Sequence, residues 1–128
     1  MRVLLDTHAL LWAAEGDRRL SEAAGAIIED AGQELLFSAV SAMEIAMKHA
    51  AGRLELPDGA STWIRTRVAA FGLIELPVTT EHAIVAGLLP LLHRDPWDRL
   101  LVAQARVEGV PILTSDTLLY RYEVSTIW

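Results

Sequence analysis

Apolar and polar positions follow two rhythms along this chain. Short solid apolar runs bounded by polar or turn residues predict buried strands at Val3–Leu5, Leu35–Ser38, Leu73–Leu76 and Pro111–Ser115, with a fifth at an edge over Tyr122–Ile127. Between them the apolar positions recur at helical spacing. A helix is predicted over His8–Glu15. Ser21 caps a second that runs to about Ala31, closed by Gly32. A third covers Ala39–Ala51 and ends at Gly52. A fourth follows the turn Pro57-Asp58-Gly59 and runs through Trp63 and Val68 to Phe71. Thr80–Leu88 is a fifth, stopped by Pro90. Pro96–Glu108 is the most strongly marked, with Asp95 at the N-cap, Pro96 at the first helical position and Gly109 just past the end.

Strands alternate with helices, and the strands lack the in–out alternation of a half-exposed sheet. The pattern predicts an α/β fold: a mostly parallel sheet covered by helices on both faces, in one domain over residues 1–128. Hydrophobic residues make up 52% of the 128 positions, enough for a packed core. No apolar run reaches membrane-spanning length, and the N-terminus lacks the architecture of a signal peptide. The absence of cysteine excludes disulfides, thiolate metal sites and thiol nucleophiles, and a cytoplasmic location is expected. A net charge of −6 argues against binding nucleic acid through overall positive charge.

The charge pattern changes once its positions are read. Asp6 ends the first apolar run and Asp116 ends the fourth. In open α/β sheets, ligands bind beyond the carboxyl ends of parallel strands. Asp98 lies in the first turn of the Pro96–Glu108 helix, where the helix N-terminus favours an ionised acid. Carboxylates gathered in this way repel unless a cation joins them, so they suggest a divalent metal held by hard oxygen ligands. Each acid also has a structural reading. Asp6 and Asp116 can cap the segments that follow them, including a short helix at Thr117–Tyr120, and Asp95 is the natural cap of its helix. Glu44 shares a helical face with Ser38, Ser41 and Lys48; spacing alone favours a solvated stripe with a Glu44–Lys48 surface pair. His8, His49, His82 and His93 show no metal-binding spacing, although His8 lies near Asp6 and can touch substrate. Arg94 and Arg99 flank the site and can hold phosphate, or form ordinary salt bridges. The four tryptophans form no aromatic ladder for base stacking.

Four blocks in order carry a resemblance: Leu4-Leu5-Asp6-Thr7-His8-Ala9-Leu10-Leu11-Trp12, Ser38-Ala39-Val40-Ser41-Ala42-Met43-Glu44-Ile45, His93-Arg94-Asp95-Pro96-Trp97-Asp98-Arg99-Leu100-Leu101 and Leu113-Thr114-Ser115-Asp116. Over nearly the whole chain the sequence resembles a PIN-domain ribonuclease, specifically a VapC-type toxin of a toxin–antitoxin pair. Met43, where an aromatic is frequent, and Trp97, where Phe is commoner, depart from the pattern only in packing. The resemblance implies an acidic quartet at Asp6, Glu44, Asp98 and Asp116, and a three-layer α/β/α sandwich. It also implies Mg²⁺ or Mn²⁺, an RNA substrate, a homodimer and a cognate antitoxin. Asp6, Asp98 and Asp116 are then expected as metal ligands, with Glu44 completing the shell or orienting the attacking water. Thr7, Ser115, Arg99 and His8 are expected as second-layer or substrate contacts. Leu10-Leu11-Trp12, Ala23–Ile28 and Ile45–Met47 are expected to leave an apolar groove for an antitoxin segment.

Other classes fit less well. A phosphoacceptor receiver domain needs paired acids after the first strand and an acceptor Asp after the third, where this chain has Leu76-Pro77. A haloacid-dehalogenase-like phosphatase needs Asp-x-Asp, and here Thr7-His8 follows Asp6. A non-catalytic acidic metal-binding module and an RNA-processing PIN nuclease without an antitoxin remain alternatives. The short length favours the toxin.

Overall fold

The computed structural model describes residues 1–92 and 95–128. Five parallel strands lie in the order β3-β2-β1-β4-β5: β1 Arg2–Leu5, β2 Glu34–Ser38, β3 Ile74–Leu76, β4 Ile112–Leu113 and β5 Thr126–Ile127. Leu4 of the central strand pairs with Leu36 on one side and Ile112 on the other. Among the described residues six α-helices cover the sheet: α1 Thr7–Glu15, α2 Glu22–Glu29, α3 Ala39–Ala50, α4 Ala60–Ala70, α5 Thr80–Leu88 and α6 Pro96–Glu108. This is the predicted three-layer arrangement.

The pleat explains why the strands read as unbroken apolar runs. Val3, Leu5, Leu35 and Phe37 point to one face, where they pack with Leu10 of α1, Ile28 of α2, Ile45 of α3 and Trp63 of α4. Leu4, Leu36 and Ile112 point to the other and meet Leu101, Val102 and Ala105 of α6. Both faces are therefore dry. Each fully buried Leu or Ile contributes about 1.5–3 kcal/mol relative to exposure. Among the described residues no helix is long and apolar enough to cross a membrane.

Several boundaries differ from the sequence pattern, for local reasons. Helix α2 ends at Glu29 because Asp30 closes the turn itself: its Oδ1 accepts the Gly32 N–H at 2.8 Å, and Gly32 does not take up a left-handed conformation. Strand β4 keeps only Ile112–Leu113 of the predicted Pro111–Ser115; beyond it the Thr114 N–H still donates to the Ile127 carbonyl at 3.0 Å, while its hydroxyl donates to Asp6. The predicted last strand, Tyr122–Ile127, shrinks to Thr126–Ile127. A 3-10 turn over Leu119–Arg121 and the burial of Tyr122 occupy the residues before it. Of the apolar positions expected to form a groove, Leu10, Leu11, Ala24, Ile28 and Ile45 are buried in the core, whereas Trp12 and Ile27 are half-buried and Met47 is exposed. Only Met43 and Met47 of α3 remain well exposed among its large side chains.

Candidate active site

The chain winds from β1 outward through β2 to β3, then crosses back to place β4 on the other side of β1. At such a reversal the two flanking connections leave the sheet in opposite directions and open a crevice at the carboxyl ends of the strands. Asp6 follows β1 and Asp116 lies three residues past β4, so both reach this crevice. The N-terminus of α6 brings Asp95 and Asp98, and the polar side of α3 brings Glu44. All five acids line one cavity of about 480 Å³, with His8, Lys48, Arg53 and Trp97.

Each acid is held differently. Asp6 occupies the N-cap position of α1 but makes no side-chain capping bond. Its Oδ2 instead accepts the Thr114 hydroxyl at 2.9 Å across the β1–β4 boundary. Thr114 in turn accepts the Asp116 N–H at 3.0 Å, so one buried hydroxyl ties both strand-end acids together. Asp116 also accepts the Leu118 N–H at 2.9 Å through Oδ1, the local capping expected of it. Asp95 accepts the Trp97 N–H at 2.9 Å and caps α6. That leaves Asp98, one turn in, to face the cavity.

Glu44 does not sit on a solvated stripe. Its side chain retains 12% of its exposure. Thr7 Oγ1 lies 2.9 Å from Glu44 Oε1 and 2.8 Å from Ser41 Oγ. A threonine hydroxyl has one proton and an ionised carboxylate none, so Thr7 donates to Glu44 while accepting from Ser41. Lys48 Nζ pairs with the other oxygen, Oε2, at 2.8 Å. The expected Glu44–Lys48 pair therefore forms, but on the wall of the cavity.

Burial and mutual repulsion set the protonation of the cluster. The Asp98 carboxyl is pushed up to about 7, first by loss of solvent and then by the charges of Asp95, Asp6, Asp116 and Glu44. Asp6 is also raised, chiefly by burial; the Thr114 hydroxyl, the His8 ring and the Thr7 N–H work against that, and Glu44 adds to it. The donor set is all carboxylate oxygen, which suits a hard divalent cation such as Mg²⁺ or Mn²⁺. Among the described residues, no three of these side chains converge closely enough to grip one ion as they stand. They instead line a space large enough for an ion with its waters, and Mg²⁺ keeps several.

The remaining expected residues fall in different places. His8 lines the cavity, its ring 5.6 Å from that of Trp12. Thr7 acts from behind, through Glu44. The lining does not include Ser115; its neighbour Thr114 makes the bonds to the acids. Arg99 is turned away: its guanidinium donates to the carbonyls of Ala86, Leu89 and Pro90 at 2.7, 2.9 and 2.9 Å, which tethers the end of α5 to α6. Three of its five N–H groups are engaged by carbonyls, and Arg99 is not among the residues lining the cavity. Arg94 and His93 lie outside the described residues. Sequence reading missed Thr114, Lys48 and Arg53 as lining or supporting residues. For Thr114 a signal existed, since it stands two residues before Asp116.

A family model described as PIN domain matches residues 3–124. Ribonuclease VapC22 of Mycobacterium tuberculosis is 34% identical over 118 residues, covering 91% of this chain and 88% of that protein. Among solved structures, VapBC2 from Rickettsia felis, bound to a DNA fragment from its promoter, superposes with a TM-score of 0.74 at 11% identity. That match covers 100% of this chain and 99% of the other. A DNA-bound VapBC from Salmonella typhimurium gives 0.71 at 15% identity over 99% and 97% of the two chains. A toxin–antitoxin complex from Klebsiella pneumoniae gives 0.69 at 17% identity over 98% and 96%.

Proposed function

The chain belongs to the PIN-domain family, as a member of the ribonuclease VapC kind, and from that premise we propose that it is a metal-dependent endoribonuclease acting as the toxin of a toxin–antitoxin pair. One observation carries the chemistry: four elements deliver Asp6, Glu44, Asp98 and Asp116 to a single cavity at the sheet's reversal point. Asp6, Asp98 and Asp116 would hold Mg²⁺ or Mn²⁺, with Glu44 completing the shell or orienting the attacking water. When bound, the ion supplies a more acidic water and charge stabilisation at the phosphodiester.

The chain's own residues prepare that site. Thr114 fixes the Asp6 carboxylate and the Asp116 backbone relative to each other. Thr7 and Ser41 fix the rotamer of Glu44 from its buried side. Asp95 satisfies the start of α6, so Asp98 need not. No side chain is required as a covalent nucleophile.

The partner reading rests on family membership and on neighbours that are toxin–antitoxin complexes. Pairing of two copies is supported by exposed apolar side chains that a dimer would cover: Ile84 and Leu88, four residues apart on α5, and Leu91 just beyond it. The test has two arms. Purified protein should cleave single-stranded RNA with Mg²⁺ and leave it intact with EDTA or after Asp6→Asn. Expression without a partner should arrest growth, and Asp6→Ala should relieve the arrest. Equal cleavage in EDTA contradicts the metal reading. Cleavage without growth arrest leaves the RNA-processing nuclease as the better description.

A further inference from the structure

Two cations, Lys48 and Arg53, share the wall of the acidic cavity, and one turn at the end of α3 carries both. At the end of α3 the Gly52 N–H donates to the His49 carbonyl at 3.1 Å, and the Arg53 N–H donates to the Lys48 carbonyl at 2.9 Å. Gly52 stands at φ 72°, the left-handed conformation this reversal requires. In such a motif the third residue from the helix end and the second residue past the C-cap are commonly in apolar contact. Here the pair is Lys48 and Arg53. A helix C-terminus favours nearby cations. That accounts for a cation there, but not for two directed at one cavity. Lys48 is answered in part by Glu44 at 2.8 Å. Arg53 is exposed and forms no ion pair among the described residues.

The geometry points to Lys48 and Arg53 as a clamp for an RNA backbone phosphate adjacent to the one that meets the carboxylates. This rests on the ribonuclease reading above. A chain of net charge −6 with five acids in one cavity repels a polyanion at long range, so binding needs local cations beside the acids. Arg53 brings a planar fork suited to two phosphate oxygens, and Lys48 brings a point charge already oriented by Glu44. The clamp fixes one phosphate. It thereby selects which neighbouring phosphodiester lies over Asp6, Asp98 and Asp116.

Fluorescence anisotropy with a labelled single-stranded RNA in EDTA tests this without turnover. Arg53→Gln and Lys48→Gln should each weaken binding, and the double variant should lose about tenfold in affinity. Each lost cation should also flatten the log–log salt slope by about 0.7, whereas Arg53→Lys should keep the wild-type slope. In Mg²⁺, Arg53→Gln should raise KM far more than it lowers kcat. If the double variant binds with wild-type affinity and slope while the wild type cleaves RNA, the clamp is wrong and the ribonuclease reading stands. A wild type that neither binds nor cleaves RNA overturns both.

Discussion

Ionising Asp98 opposes folding. Its carboxyl titrates at about 7 in the folded chain against an ordinary 3.8. Between those values the folded chain holds a proton that the unfolded chain has released. Stability therefore falls as pH rises through this window; the penalty is absent below it and complete above it. In EDTA, Asp98→Asn should melt higher than the wild type at about pH 8, and this advantage should vanish by about pH 4. Thermal melts of the two proteins across that range check the sign; a gap that does not change with pH would contradict it. Thr114 carries the complementary prediction. Thr114→Val keeps the shape but leaves Asp6 Oδ2 and the Asp116 N–H without their shared hydroxyl. It should cost about 1–3 kcal/mol in denaturant unfolding and weaken Mn²⁺ binding. At this scale the strand-end acids were legible in the sequence, because a strand end is a position along the chain. For Thr114 only the local half was legible, its place two residues before Asp116; its bond to Asp6 was not, because that partner lies 108 residues away. Glu44 was misjudged from spacing alone, since the Thr7 hydroxyl that pulls it inward comes from another helix.

Helix α6 separates capping from chemistry within one turn. Asp95 takes the N-cap bond and Asp98 faces the cavity. Asp95→Ala should therefore cost about 1 kcal/mol, as cap losses do, yet retain measurable RNA cleavage; Asp98→Asn should do the reverse. Activity and denaturant melts on both variants decide between them, and an exchanged pattern would mean that the two acids have each other's roles. Arg99 belongs to the same helix but serves its contact with α5. Arg99→Ala should cost about 1.5–3 kcal/mol through three lost charge-assisted bonds and leave RNA affinity in EDTA unchanged. A marked loss of affinity would restore the phosphate role expected from sequence. Elements with strong local punctuation were legible to the residue: Thr80–Leu88, and Pro96–Glu108 with its Asp-Pro start and Gly109 stop. The last two strands were overextended, because their lengths are set by tertiary demands. The Thr114 hydroxyl is committed to Asp6, and Tyr122 is buried in the core.

For the whole molecule, sheet order turns a set of scattered acids into a site. Composition alone spoke against a nucleic-acid role, and the net charge of −6 would keep RNA away if it were spread evenly. Instead the reversal between β1 and β4 gathers the acids at one crevice, with Lys48 and Arg53 beside them. The sequence could show that the fold is α/β, from solid apolar runs alternating with helices. It could not show, except by resemblance, that the strand before Asp116 lies beside the one before Asp6. This gathered cluster is predicted to be a divalent-cation site. Calorimetric titration of Mn²⁺ into the metal-free protein tests it most directly, beside the Asp6→Asn, Asp98→Asn double variant. Saturable binding at millimolar or lower Mn²⁺, lost in the double variant while its fold persists, is the predicted result. No binding by the wild type, or equal binding by both proteins, would contradict it.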